Sequence, residues 1–308
     1  MQSASSIFAP RFISAKSGAK LRVATFEADA EAKARGVCVL LSGQTEFIEK
    51  YFEVIDELRA RGFQVVTTDW RGHGASTRAL PDWLKAHVDD FSEYDDDLAS
   101  LMEQVVEPLT SQAPIALAHS MGGHILLRTL HARPNSFACT VLTAPMIAVS
   151  TRGYPAWMAS AMTSLQNLRG AGNNYVWGMD GRDPIKMTFD QQIVTSDRAR
   201  FKRTQDYLTL HPEIRLSGPT WRWLAAASLS MAAMRAPGYG EAISTPTLFC
   251  GAGRDRIVIN KAEEDLAARM PHGVFVQFED AEHEILMEND SIRARFWKAF
   301  DDFVGKYA

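Results

Sequence analysis

The sequence has few cysteines and no stretch typical of secretion. Its 308 residues include three cysteines, Cys38, Cys139 and Cys250. The number is odd and each lies in an apolar, strand-like run, so we expect buried free thiols rather than a disulfide framework. The amino terminus lacks the positive region and uninterrupted apolar core of a secretory signal. These features predict a cytoplasmic protein.

The chain also lacks an excess of positive charge, a long apolar run and a metal-binding motif. Its formal net charge is −4 with the two signs interspersed, so we expect no nucleic-acid partner. No run reaches the roughly 18 apolar residues that a membrane-spanning helix needs. The histidines do not show zinc-site spacing such as H-E-x-x-H. We therefore predict no metal and no cofactor.

Hydrophobic residues make up 46% of the chain, enough to bury the core of one large domain. Two β-leaning runs within Arg11–Ala28 predict an opening hairpin. After them, short β-rich runs alternate with helical patterns; the first four are VCVLLSG, QVVTTDW, PIALAHS and CTVLTAP. This alternation predicts an α/β fold with a mostly parallel central sheet and helices on both faces.

The alternation stops after Pro145 and resumes near Thr245. The interval between them is mostly helical in pattern and contains no repeat. We therefore predict an α/β core formed by residues 1–146 and 241–308, and a helical lid, or cap, inserted at residues 147–240.

The stretch IALAHSMGGHILL places Ser120 between an apolar run and two glycines. A nucleophile on a sharp strand-to-helix turn needs small residues two positions before and two positions after it, and Ala118 and Gly122 meet that need. The usual pattern is G-x-S-x-G. Because a short motif of this kind also arises by chance, its interpretation depends on partners later in the chain.

A serine hydroxyl is a weak nucleophile until a histidine takes its proton, and that histidine needs an acidic partner. Asp255 follows the predicted strand PTLFCGAG, and the predicted strand VFVQFEDAEH ends in His283. Open α/β sheets keep their sites at the carboxyl ends of strands. The order Ser120, Asp255, His283 predicts a catalytic triad, and we interpret Asp280 as a loop acid.

Ester hydrolysis also requires N–H groups that stabilise a tetrahedral oxyanion. One should come from the residue after the nucleophile and the other from the loop after an earlier strand. These positions predict the backbone N–H groups of Met121 and of Gln44, which follows Gly43 in LLSGQTEF.

The stretches SGQTEFIEKYFEVIDELRARGFQVVTTDWRGHGAST, AHSMGGHI, GAGRDRIV and AEHEILME resemble the serine hydrolases of the α/β-hydrolase fold, in particular the monoacylglycerol lipase and lysophospholipase group. Members usually carry His-Gly where this chain has Ser42-Gly43, and glycine where it has Ala118. The resemblance implies a cofactor-independent carboxylic ester hydrolase that forms an acyl-enzyme, acts on a monoacyl lipid and carries a lid where the insertion lies.

The insertion is rich in tryptophan. We predict that its four tryptophan side chains line an apolar acyl pocket, and the alternative is that they only pack within the insertion. They are Trp157, Trp177, Trp221 and Trp223. The lid is also expected to make transient contact with a membrane surface.

Two other functions remain open from the sequence. An aminopeptidase of the same fold would use carboxylates of the insertion to hold a substrate ammonium group; the candidates are Asp180, Asp183, Asp190, Asp197 and Asp206. A ligand receptor built on a hydrolase scaffold would bind without turnover.

Overall fold

The computed structural model describes residues 2–150, 156–179, 181 and 183–308, with only the backbone described for residues 156–160. The described chain contains eight strands: β1 (Arg11–Ser14), β2 (Lys20–Phe26), β3 (Gly36–Leu41), β4 (Phe63–Thr68), β5 (Ile115–His119), β6 (Thr140–Thr143), β7 (Thr247–Ala252) and β8 (Gly273–Phe278). They form one sheet in the order β1-β2-β4-β3-β5-β6-β7-β8.

The sheet is mostly parallel. β1 and β2 pair antiparallel as the predicted hairpin, β2 pairs antiparallel with β4, and all other neighbours are parallel. Every residue of β5, β6 and β7 is buried. Such continuous apolar runs are typical of strands covered on both faces, and the predicted fold class is confirmed.

Eight α-helices lie in the described chain: α1 (Phe52–Ala60), α2 (Ser92–Leu101), α3 (Met121–Ala132), α4 (Ala156–Leu168), α5 (Arg198–Leu210), α6 (Trp221–Arg235), α7 (Asn260–Arg269) and α8 (Asp290–Val304). Each face of the sheet has its own apolar cluster. Val39 of β3 lies in the cluster that contains α2, α3 and α7 residues, whereas Leu40 lies in the cluster with α1 and α8. Successive side chains of a strand point to opposite faces, so both faces are covered by helices.

Two predicted elements differ from the structure in where they end. Apolar residues recur at helical spacing through EYDDDLASLMEQVV, which predicts one helix up to Val106; α2 instead ends at Leu101, and a π-helical turn, Met102–Val106, follows. The strand predicted to end in His283 ends at Phe278, so that boundary was wrong. A turn begins there, since the Ala281 N–H donates to the Phe278 carbonyl oxygen. His283 lies in the loop beyond this turn.

The described part of the insertion contains α4, α5 and α6. The last of these packs into the core cluster through Trp223, Ala227, Met231 and Met234, whereas only Leu208 of α5 is buried. All three cysteines are free and buried, as predicted. Within the described residues, every helix is too short or too polar to cross a bilayer.

Candidate active site

The order of the strands places two loops side by side. β3 pairs with β4 on one side and with β5 on the other, so the chain changes direction across the sheet at this point. In open α/β sheets such a switch leaves a crevice at the carboxyl ends of the strands. A Cβ atom at Gly43, after β3, would lie 3.2 Å from the Cβ of Ser120, after β5. The loop after β3 therefore lies directly against the serine.

Ser120 occupies an unusual backbone conformation, with φ 49° and ψ −113°. A non-glycine residue stays there only when its surroundings enforce it. The Ser120 N–H donates to the Thr143 carbonyl oxygen at 3.0 Å, and the Ser120 carbonyl oxygen accepts from Met146 at 3.0 Å and from His124 at 3.1 Å. These three hydrogen bonds hold the turn between β5 and α3.

Gly122 is required by a close approach of α3 to the end of β3. A Cβ at this position would lie 2.6 Å from the Ser42 carbonyl oxygen and 2.7 Å from that of Leu41. Real Cβ atoms do not come so close to a backbone oxygen. The need for glycine therefore comes from β3, while Ala118 fits its methyl group into the buried core.

The three predicted triad side chains form one hydrogen-bonded chain. His283 Nδ1 lies 2.6 Å from Asp255 Oδ2, and His283 Nε2 lies 3.0 Å from Ser120 Oγ. Because a carboxylate only accepts, Nδ1 carries the proton and donates it to Asp255, which leaves Nε2 free to accept from the serine hydroxyl. This geometry allows the imidazole to take the hydroxyl proton.

Asp255 is held in its ionised form. Burial opposes ionisation, but the hydrogen bond and the charge of His283, with further help from two backbone N–H groups, outweigh it and lower the pKa of Asp255. Those N–H groups belong to Ile257 and Val258 and donate to Oδ1 at 2.7 and 3.0 Å. The carboxylate is therefore fixed at Oδ1 and presents Oδ2 to the histidine.

Asp280 points elsewhere. Its Oδ1 lies 2.5 Å from Nη2 of Arg295, and its side chain is 45% exposed. It therefore forms an exposed ion pair with α8 rather than a contact with His283.

The two predicted oxyanion donors follow β3 and β5, the strands whose ends meet at Gly43 and Ser120. Met121 is the first residue of α3, and the first N–H groups of a helix have no partner within it. Gln44 lies between Gly43 and Thr45, and Thr45 has φ 63°. The Gly43 N–H does not serve as an oxyanion donor, because it donates a hydrogen bond to Glu46 Oε2.

Four further polar residues surround the site and were not singled out by the sequence: Glu46, Lys50, His119 and Glu284. The His119 ring lies 4.8 Å from the His283 ring, and its Nδ1 lies 3.0 Å from the Thr143 carbonyl oxygen. Burial lowers the pKa of His119 to about 4, so this ring is neutral at pH 7. The sequence offered one indication for two of them: His119 directly precedes Ser120, and Glu284 directly follows His283.

The predicted acyl-pocket tryptophans lie in different surroundings. Trp177 is 66% exposed and packs edge-on against the buried Trp221, with ring centroids 5.2 Å apart. Trp223 donates from Nε1 to the Tyr94 hydroxyl at 3.2 Å. The side chain of Trp157 lies outside the described part.

The acidic residues of the insertion that could hold a substrate ammonium group are paired with basic side chains. Asp180 lies outside the described residues. The other four each pair with a cation: Asp183 with Arg215 at 3.4 Å, Asp190 with Arg198 at 3.1 Å, Asp197 with Arg200 at 3.1 Å and Asp206 with Lys202 at 2.5 Å. Within the described residues, no group of three or more His, Cys, Asp or Glu side chains could hold a metal ion.

Comparisons of the sequence with known proteins agree on one family. Residues 32–290 match the family model described as "Serine aminopeptidase, S33". The chain is 32% identical to lysophospholipase L2 of Escherichia coli over 279 residues, which is 88% of this chain and 81% of that protein. It is 29% identical to the probable lysophospholipase L2 of Haemophilus influenzae over 89% of this chain and 85% of that protein.

The fold has close counterparts among solved structures. A soluble variant of the monoglyceride lipase from Saccharomyces cerevisiae superposes with a TM-score of 0.74 at 18% identity, over 98% of this chain and 97% of that one. Together with the sequence matches, this shows that the chain belongs to the α/β-hydrolase family of serine hydrolases and is an enzyme of the group that includes lysophospholipases and monoacylglycerol lipases.

Proposed function

We propose that the protein is a carboxylic ester hydrolase in which Ser120 is the nucleophile, His283 the general base and Asp255 the residue that orients His283. The observation that carries this proposal is the hydrogen-bonded chain from Asp255 Oδ2 through His283 to Ser120 Oγ. The Gln44 and Met121 N–H groups stabilise the oxyanion.

In the first half-reaction, His283 Nε2 takes the hydroxyl proton while Ser120 Oγ bonds to the ester carbonyl carbon. The carbonyl oxygen becomes an oxyanion held by the two N–H groups. His283 then gives its proton to the leaving alcohol, and the acyl-enzyme remains. In the second half, His283 takes a proton from water, the hydroxide attacks the acyl carbon, and the carboxylic acid leaves as the proton returns to Ser120.

The proposed substrate is a monoacyl lipid, either a lysophospholipid or a monoacylglycerol. This rests on the names of the relatives, which are lysophospholipase L2, probable lysophospholipase L2 and, over 37% of this chain, the monoacylglycerol lipase of Mycolicibacterium smegmatis. Residues 147–240 would form a lid over the crevice and supply apolar lining for the acyl chain. Trp157, Trp177, Trp221 and Trp223 stay predictions for that lining, and the packing of Trp223 against Phe91 and Tyr94 favours a structural role for this one.

The aminopeptidase alternative takes support from the description of the family model. It needs an unpaired carboxylate for the substrate ammonium, and each described candidate acid is bound to a lysine or arginine. The receptor alternative leaves unexplained why Asp255, His283 and Ser120 are aligned for proton transfer. Ester hydrolysis is the better supported proposal.

A substrate panel tests this proposal. Each buried methylene is worth about 0.8 kcal/mol, a factor of about four in kcat/KM, so long-chain lysophospholipids or monoacylglycerols should exceed acetyl esters by several orders of magnitude. Aminoacyl p-nitroanilides should not be cleaved. Turnover of the aminoacyl reporters in preference to the acyl esters would replace our proposal by peptidase activity, and ligand binding without any turnover would favour a receptor.

We also propose that the lid makes transient contact with a membrane surface. Several apolar side chains of the insertion are exposed, among them Leu168 at 86% and Trp177 at 66%. Leu168→Ser and Trp177→Ser should each reduce co-sedimentation with phosphatidylcholine vesicles several-fold, because each loses apolar area for the interface. Phe12→Ser is the matched control, since Phe12 is 57% exposed on the edge strand β1. Equal vesicle binding by all three variants would contradict this proposal.

The expected compartment is the cytoplasm, and the three free thiols fit a reducing environment. Cell fractionation with detection of the protein in each fraction tests this expectation.

A further inference from the structure

We propose that Lys50 is a positioning residue that holds the loop after β3 against the loop that carries His283. The inference rests on the proposed ester hydrolysis and concerns a group that touches no substrate. Lys50 Nζ lies 2.8 Å from Glu46 Oε1 and 2.6 Å from Glu284 Oε1. One ammonium group therefore binds a carboxyl group from each of the two loops.

The three side chains lie largely out of contact with solvent. The side chain of Lys50 is 8% exposed, that of Glu46 4% and that of Glu284 13%. Exposed ion pairs hold their side chains only weakly in place, because water screens the charges and the side chains lose entropy when they are fixed. In a buried pair, neither partner can separate without leaving an uncompensated charge. Lys50 therefore restrains the distance between the two loops.

The Glu46 arm reaches the proposed oxyanion donors. Glu46 Oε2 accepts from the Tyr51 hydroxyl at 2.6 Å and from the Gly43 N–H. The second bond fixes the backbone one residue before Gln44. Glu46 thus orients the loop at the position where relatives of this fold usually carry a histidine and this chain has Ser42.

The Glu284 arm reaches the proposed general base, because Glu284 directly follows His283. The Glu284 N–H donates to the Val194 carbonyl oxygen at 2.8 Å, so the insertion holds this residue from its other side. The Lys50 ion pairs therefore connect the proposed oxyanion site to the histidine loop through a single side chain.

The charges of Lys50 and Glu46 suit this role, whereas burial and the neighbouring Glu46 raise the pKa of Glu284 in spite of its contact with Lys50. Burial opposes the ionisation of Glu46, but the charge of Lys50 and the hydrogen bonds from Lys50 and Tyr51 outweigh it and lower the Glu46 pKa to about 2. Burial also opposes the charge of Lys50, yet Glu284 and Glu46 raise its pKa above the usual value. Lys50 and Glu46 therefore remain charged at neutral pH.

The decisive experiment compares the kinetics of Lys50→Met and Glu284→Ala with those of the wild type on a long-chain monoacyl ester. Loss of an oxyanion donor typically costs 10² to 10³ in kcat, so we expect Lys50→Met to lower kcat about 10²-fold while KM changes less than threefold. Affinity for a fatty-acyl trifluoromethyl ketone, which adds Ser120 Oγ to form a tetrahedral adduct, should fall by a similar factor. Lys298→Met is the matched control, since Lys298 forms an exposed pair with Asp302 at the same i, i+4 spacing.

Glu284→Ala provides a second test in case Lys50→Met does not fold, because Lys50 stays paired with Glu46 in the Glu284 variant. It should lower kcat at least tenfold, and adding it to Lys50→Met should cost nothing further, since both cut the same link. A folded Glu284→Ala with kcat within threefold of the wild type would overturn the role of Lys50, as would additive losses in the double variant. A wild-type enzyme that neither hydrolyses esters nor reacts with a fluorophosphonate would instead overturn the proposed function.

Discussion

Ser120→Ala is expected to lower kcat for ester hydrolysis by about 10⁶, the loss typical of removing the nucleophile from such a triad. Alanine removes only the hydroxyl group, and the backbone hydrogen bonds that hold the turn at Ser120 remain. The far-ultraviolet circular dichroism and the thermal unfolding midpoint should therefore stay close to those of the wild type. Steady-state kinetics on a long-chain monoacyl ester provides the measurement.

Ser100→Ala is the matched control, because Ser100 is fully buried on α2 and its Oγ has no hydrogen-bond partner among the described residues. It should keep near wild-type activity. Mass spectrometry after fluorophosphonate treatment should place the label on Ser120 in the wild type and find none in Ser120→Ala. If Ser120→Ala kept a tenth of the wild-type turnover, another group would have to be the nucleophile.

Asp255→Asn is expected to lower kcat by about 10⁴, as the corresponding change does in other triads. The Ile257 and Val258 N–H groups bind Oδ1 and would hold the asparagine oxygen in the same place. The amide nitrogen would then face His283 Nδ1, where it can only donate. Nδ1 must lose its proton to accept, so the proton moves to Nε2 and the imidazole can no longer act as a base towards Ser120.

Asp280→Asn separates this effect from a general change of charge near the histidine. The Asp280 carboxylate binds Arg295 on the surface. Exposed ion pairs of this kind contribute little to the stability of the fold. We expect kcat within threefold of the wild type. A larger loss for Asp280→Asn than for Asp255→Asn, measured in parallel, would reassign the acidic residue.

The sheet could be predicted from the sequence, and Ser120, Asp255 and His283 could be proposed as a triad, because both inferences depend on short-range patterns. Continuous apolar runs marked the strands, and Ser120, Asp255 and His283 could be found because each follows such a run. The end of β8 was placed too late, since Gln277, Phe278 and Glu279 still alternate polar and apolar side chains although the strand ends at Phe278, where a turn begins. An alternating pattern does not show where backbone pairing stops.

The cluster around Lys50 was not predictable in the same way. Charged residues near a helix start usually face water, and Lys50 and Glu46 are spaced like an ordinary surface pair. Their contact with Glu284 joins residues that lie far apart in the sequence, so no local pattern indicates it. The role of Trp223 was equally ambiguous, because helical spacing does not distinguish a core residue from one that lines a pocket.

The pairing of β6 with β7 has a consequence for how such enzymes diversify. Thr143 at the end of β6 lies opposite Cys250 of β7, although the chain between these strands includes the whole insertion. The separation of Ser120 from Asp255 is thus set by strand register and not by the length of the intervening chain. Lengthening a loop whose ends are already fixed costs little entropy. Insertions of different length can therefore be accommodated between β6 and β7 while Ser120 and Asp255 keep their separation.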